Sequence, residues 1–104
     1  MSFKETLKES IMVRLEQFVL ADTTGYRKQC LYLFVKIKEF TVNQIYELLS
    51  REYEVTRNEV ASMIGYIHSK VGILKSHKES YKSPIVYTIK DEYVNLINSY
   101  LITY

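Results

Sequence analysis

The chain holds one cysteine, Cys30, so no disulfide can form within it, and the neighbours Leu31, Leu33 and Phe34 point to a buried, inert thiol. A reducing cytoplasm fits that usage. Only two histidines are present, His68 and His77, too few for a zinc set with one cysteine unless carboxylates join them. Three glycines and a single proline leave no glycine-rich phosphate loop, linker or low-complexity tract. No Cys or His pair stands at metal spacing and no nucleophile stands near a base motif, so neither metal, cofactor nor enzymatic activity is expected. No apolar run approaches membrane-spanning length, and the start Met1-Ser2-Phe3-Lys4-Glu5 does not read as a signal peptide, so no membrane partner is expected. Tryptophan is absent while tyrosine occurs ten times. Most of these tyrosines stand at helix or strand spacing, apolar ring inward and hydroxyl outward.

What is present describes a globular domain. In 104 residues, 47% are hydrophobic and 25% charged, enough to bury a modest core and too apolar for disorder. The net charge of +2 is weak for a nucleic-acid binder, but it is unevenly spread. Residues 41–69 carry two basic and four acidic side chains, whereas residues 70–82 carry Lys70, Lys75, Lys78 and Lys82 against Glu79 alone.

The most specific local pattern occurs twice, fifteen residues apart. Phe40-Thr41-Val42-Asn43-Gln44-Ile45 and Val55-Thr56-Arg57-Asn58-Glu59-Val60 each place a threonine three residues before Gln44 or Glu59, a reciprocal capping box. Each also places an apolar residue before the cap and another at the fourth helical position, a hydrophobic staple. Two short helices joined by a tight turn are the core of a helix-turn-helix.

Around this pair the periodicity predicts a helix over 3–20, with Phe3, Leu7, Ile11, Leu15 and Phe18 inward, Val19 widening the stripe, and Lys4, Glu5, Lys8, Glu9, Arg14 and Glu16 wet. Asp22-Thr23-Thr24-Gly25 breaks the pattern, and a second stripe follows in Tyr26, Cys30, Leu33, Phe34 and Ile37. Lys38-Glu39-Phe40 reads as a stub of strand. The capped helices run over 42–50, burying Ile45, Leu48 and Leu49, and over 57–70, burying Val60, Met63, Ile64 and Ile67. Gly65 inside the second costs about 1 kcal/mol relative to alanine, which a close backbone approach would explain. Gly72 ends that helix. Residues 73–76 and 85–90 read as strands, with the polar loop His77 to Pro84 between them. Asp91 caps a last helix with Tyr93, Val94, Ile97, Tyr100 and Leu101 on its apolar face.

The order predicts an α+β fold, mainly α with a small β-hairpin: one winged helix-turn-helix domain over 1–104, with a leading helix at 1–22, a winged-helix core at 25–90 and a closing helix at 91–104. Gly25-Tyr26-Arg27 through Phe40-Thr41-Val42, then Val60-Ala61-Ser62-Met63-Ile64-Gly65, then Ser69-Lys70-Val71-Gly72-Ile73-Leu74, resemble an uncharacterised family of small winged-helix proteins from methanogenic archaea. The resemblance extends to the leading helix and to the closing stretch Tyr87 to Tyr93. Its most specific run departs at Val71, where leucine is expected. The resemblance implies the fold and a transcriptional role, and it supplies no ligand, operator or catalytic residue.

Double-stranded DNA is the expected partner. With Val60, Met63, Ile64 and Ile67 inward, the opposite face of the second capped helix shows Arg57, Asn58, Ser62, Tyr66 and Ser69, with the small Ala61 and Gly65 beside them. Arginine and asparagine can each make paired hydrogen bonds to base edges. Lys75, Lys78 and Lys82, with His77 and Tyr81, can follow the DNA backbone, or they can simply keep a hairpin tip soluble. Arg27 and Lys28, at the start of another helix, can add a phosphate anchor together with free backbone amides. His68 beside Ile67 fits a half-buried residue better than a ligand. The apolar stripes of the first and last helices exceed what a minimal core needs, which predicts a homodimer through them. The alternative is a winged-helix protein-interaction module without DNA binding, favoured by the weak net charge and by Glu52 and Glu54 in the turn.

Overall fold

The computed structural model describes the backbone of residues 3–103 and the side chains of residues 7–102. The side chains of Phe3, Lys4 and Glu5 and the extreme ends of the predicted leading and closing helices lie outside that range. Five α-helices and three strands follow in order: α1 (Phe3–Leu20), α2 (Tyr26–Ile37), β1 (Glu39–Phe40), α3 (Val42–Leu49), α4 (Arg57–Tyr66), β2 (Leu74–His77), β3 (Val86–Ile89) and α5 (Asp91–Thr103). A π-helical segment, Ile67–Val71, continues α4. The chain is therefore mainly helical with a small antiparallel sheet of order β1-β3-β2. Thr88 of the central strand faces Glu39 on one side and Lys75 on the other.

Both capping boxes form. Thr41 Oγ1 accepts from the Gln44 amide (3.3 Å), and the Thr41 amide donates to Gln44 Oε1 (2.8 Å). Thr56 Oγ1 accepts from the Glu59 amide (3.1 Å), and the Thr56 amide donates to Glu59 Oε1 (3.0 Å). Phe40, Ile45 and Val60 are buried, and Val55 packs against the same cluster. The link between α3 and α4 spans residues 50–56: the predicted turn of 51–55, the cap Thr56, and Ser50, which α3 releases by ending at Leu49. Its backbone folds back on α3, the amides of Glu52 and Tyr53 both donating to Leu49 O.

The core is one contiguous cluster drawn from every element, including Ile11, Leu15 and Phe18 of α1, Phe34 of α2, Phe40 of β1, Ile64 of α4, Ile89 of β3 and Tyr93 and Ile97 of α5. Phe34 and Phe40 stack at 4.3 Å between centroids. Each such fully buried large side chain contributes on the order of 1.5–3 kcal/mol of transfer free energy. α5 packs on α2, and α1 packs on α2 and on the π-helical segment. The apolar stripes of α1 and α5 thus cover their own chain's core. Leu7 is the exception, 37% exposed near the start of α1.

The buried face of α2 is wider than its sequence stripe. Leu31 is fully buried, Leu33 is half-buried and Ile37 is 43% exposed. The cause is position: α1, α3, α5, β1 and β3 all touch α2, so its middle is enclosed while its last turn runs past them. Lys38 then reverses the chain with φ +71°, a left-handed conformation that a branched or bulky side chain adopts only at a cost. Its amide closes on Phe34 O and its carbonyl accepts from Ile89, so the reversal aligns β1 against β3.

Four further details depart from the sequence reading. The predicted helix over 57–70 widens into π geometry after Tyr66, with Ile67 and Val71 both fully buried. The Gly72 amide donates to Ile67 O, and Gly72 ends the segment at φ +84°. Leu48 is only half-buried, and Asp91 is the first residue of α5 rather than the residue before it. At Gly65 an added Cβ would meet nothing within 4 Å among the described residues. The close approach expected above that face is absent among the described residues. None of the helices is long and apolar enough to cross a membrane among the described residues.

Candidate nucleic-acid interface

The twin capping boxes set two helix starts side by side. Asn43 and Asn58 occupy equivalent places, two residues after their threonines. Arg57, the first residue of α4, donates from Nε to Asn43 Oδ1 (2.5 Å). That contact uses the inner edge of the guanidinium and leaves the outer pair of nitrogens, the fork that matches a phosphate or a guanine edge. Sequence reasoning missed Asn43, although its repeat position in the twin pattern marked it. Arg57 also lines a small cleft of about 170 Å³ with Thr41, Val42, Asn43, Pro84, Ile85 and Tyr87. The start of α4 therefore meets the returning side of the β2–β3 hairpin. His68 packs edge-on against Tyr87 (5.7 Å) and is half-buried, which ties the end of the same helical column to the same strand.

Asn58, Ser62 and Tyr66 line a different depression. It is an open cleft of about 630 Å³ between α4, the end of α1 (Gln17, Phe18, Ala21) and the start of α2 (Tyr26, Arg27). Helical geometry explains the division, since Arg57 and Tyr66 stand about 180° apart around α4. The predicted contact set is thus not one patch. Arg57 faces the hairpin, Tyr66 faces α1, and Asn58, Ala61, Ser62 and Gly65 lie on the ridge between. The Tyr66 ring is engaged with Phe18, stacked at 6.0 Å and 17°, and remains 44% exposed. Ser69 turns back to donate from Oγ to Gly65 O (2.8 Å).

The start of α2 does not offer the open amides that the sequence suggested. Asp22 takes them. Its Oδ1 accepts from the amides of Thr24 (3.1 Å) and Gly25 (3.0 Å), and its Oδ2 from those of Arg27 (2.9 Å) and Lys28 (3.3 Å). Partial burial alone would raise the Asp22 pKa, but these four amides together outweigh it and hold the carboxyl below the usual aspartate range. Gly25 permits the turn with φ +92°. Arg27 is likewise committed: it donates from a terminal nitrogen to Phe18 O (3.1 Å) and lies over the Phe18 ring (4.8 Å). It supplies the positive charge that the last turn of α1 lacks. Neither free amides nor an unengaged Arg27 is available as an anion anchor there, and Lys28 is already engaged within the fold.

The hairpin carries its lysines outward. Lys75 lies in β2, Lys78 and Lys82 in the loop of residues 78–85, and all three are exposed, as is His77. Tyr81 at the tip is 94% exposed. Cys30 is fully buried, and burial pushes its thiol pKa far up, so it is the inert group expected. Among the described residues no three His, Cys, Asp or Glu side chains converge in a metal-binding arrangement.

The chain belongs to the family described as "Protein of unknown function (DUF2551)", which matches residues 15–97. The match takes in every candidate contact residue and leaves out the first part of α1. The chain is similar to an uncharacterized protein of Archaeoglobus fulgidus, 32% identical over 85 residues that cover 81% of this chain and 84% of that one. It is thus one of a family of small, uncharacterised archaeal proteins. No solved structure matches it.

Proposed function

We propose that the protein is a winged helix-turn-helix DNA-binding domain filling the whole chain, a small cytoplasmic transcriptional regulator with no enzymatic role. In this reading α3 and α4 form the helix-turn-helix and the β2–β3 hairpin is the wing. The observation that carries it is the cleft in which Arg57, steadied by Asn43, meets Pro84 and Ile85 on the returning side of the lysine-bearing hairpin loop. A duplex lying along α4 would meet Arg57, Asn58 and Ser62 at its groove and Lys75, Lys78 and Lys82 along the adjoining backbone. Tyr66, Arg27 and Lys28 would stand at the far margin as supports rather than readers.

Fluorescence anisotropy with a random-sequence duplex across a salt series tests this. Three lysine contacts give a log–log slope near −2.7, from about −0.9 per neutralised phosphate. Lys78→Ala flattens that slope by about one unit and weakens all sequences alike. Arg57→Ala selectively weakens the sequence enriched from a random pool, by about 1–3 kcal/mol. Failure to bind any duplex at low salt refutes the reading.

A protein-interaction module is the second reading. The open cleft beside α4, with Phe18, Tyr26, Met63 and Tyr66 in its lining, supports it because aromatic side chains and methionine favour protein contacts. The homodimer expected from α1 and α5 now has less surface to draw on. Among the described residues, Val13 and Leu20 of α1 and Ile102 of α5 are the apolar side chains there that remain more than half exposed. Light scattering at micromolar concentration decides it, and a monomer removes the two-fold assembly.

A further inference from the structure

Tyr81 is the most exposed of the large hydrophobic side chains, at 94%, and it stands on a built turn. The Ser83 amide donates to Ser80 O (3.1 Å), and the two hydroxyls of Ser80 and Ser83 share a second hydrogen bond (2.8 Å). The turn Ser80-Tyr81-Lys82-Ser83 is therefore closed by its own backbone and side chains, and it holds an aromatic ring and a lysine at its two central positions. Lys78 precedes it and Lys75 lies in the strand below, with Glu79 the only acid in the loop. Among the described residues no side chain packs on the ring, so its exposure is unexplained by stability.

We propose that this turn is a base-stacking tip: Tyr81 lays its ring on an unpaired or terminal nucleobase while Lys78 and Lys82 neutralise the flanking phosphates. The protein would then prefer a duplex that carries a single-stranded segment over an unbroken duplex. This inference rests on the DNA-binding reading of the hairpin. An already exposed base suits the ring better than insertion into intact duplex. Wedging a side chain between paired bases unstacks a step, and the side chains that do so are apolar. A phenol driven into the stack would bury its hydroxyl without a partner. On a free base face the ring stacks while the hydroxyl stays in water, and every base offers such a face. The local charge favours a polyanion over a neutral protein surface, since three lysines attend one ring.

The test compares a fluorescent hairpin DNA with blunt ends against the same hairpin carrying a short single-stranded tail. The wild-type protein should bind the tailed form more tightly. Tyr81→Ala should lose about 5- to 150-fold on the tailed form and little on the blunt one. Tyr81→Phe should keep the preference. Tyr81→Trp places the chain's only tryptophan at the tip, and its fluorescence should be quenched by the tail. Because the ring is 94% exposed, the thermal midpoint should be the same in all four proteins, so losses report binding. If DNA binds but Tyr81→Ala matches wild type and the Tyr81→Trp protein shows no quenching, the stacking tip is wrong and the DNA reading survives. If neither DNA binds wild type, both fall. If Tyr81→Ala instead abolishes capture of a protein partner with DNA binding unchanged, the tip belongs to a protein surface and the proposal is overturned.

Discussion

Replacing Gly65 by alanine sets stability against binding in one substitution. Gly65 sits within α4 at an ordinary helical conformation, and a Cβ built there meets nothing within 4 Å. Alanine therefore recovers the helix-propensity difference with no steric cost, about 0.8–1 kcal/mol. With an unfolding entropy of about 2.1 cal/mol/K per residue, a chain of this size gains roughly 4 °C in its melting midpoint. The same methyl projects from the ridge between Asn58 and Ser69, which would lie closest to a groove wall. An added group at a packed contact costs about 1–3 kcal/mol, so DNA affinity should fall by roughly 5- to 150-fold while stability rises. Calorimetry and anisotropy on the same sample measure both. A lower melting midpoint would show that the space above Gly65 is closed. A higher midpoint with unchanged DNA affinity would remove the α4 ridge from the interface.

Asp22→Ala should destabilise the fold by about 0.5–2 kcal/mol at neutral pH, as loss of a helix cap does. The folded-state pKa of Asp22 lies below its ordinary 3.8, so its contribution is complete above that value and is lost as pH falls through the folded pKa. Urea titrations should accordingly show the gap between wild type and Asp22→Ala closing under strong acid; a gap that widens there would contradict the capping account. Lys38→Gly relieves about 1–3 kcal/mol of left-handed strain against about 0.5–1 kcal/mol of added chain entropy, so the urea midpoint should rise. A fall would mean that the lysine side chain contributes to the reversal. Cys30 should resist a thiol reagent in the native state and react at the rate of opening, which makes it a single-site probe of unfolding.

What the sequence carried best was chemistry contained within a few residues. The twin capping boxes were legible because each bond links a threonine to a residue three places on, and no distant partner decides it. The hairpin strands, predicted over 73–76 and 85–90, fall within one residue of those bounds at every end, because a run of branched residues between polar stretches is also local. Helix α2 read less well. Its stripe of Cys30, Leu33, Phe34 and Ile37 assumes one covered face, whereas five elements surround it, so Leu31 is buried and Ile37 is not. The π-helical widening after Tyr66 had no sequence signal, since Ile67 and Val71 fit an α-helical stripe equally well.

The candidate site divides along the same line. That Arg57 begins a helix was local information; that Asn43 holds its inner edge was long-range, fourteen residues away. The basic pair Arg27 and Lys28 beside a helix start looked like an anion site because sequence displays charges and helix ends separately. The fold joins them differently: Asp22, five residues earlier, is itself the anion, and Phe18 receives the guanidinium. A helix start with a carboxylate already four amides deep has satisfied the electrostatics that would recruit a phosphate. The unspent groups, the outer fork of Arg57, the ridge at Asn58 and Ser62, and the lysines around Tyr81, are those for which the described residues supply no partner. That distinction between charges the fold consumes and charges it presents favours α4 and the hairpin, rather than the α2 corner, as the proposed binding surface.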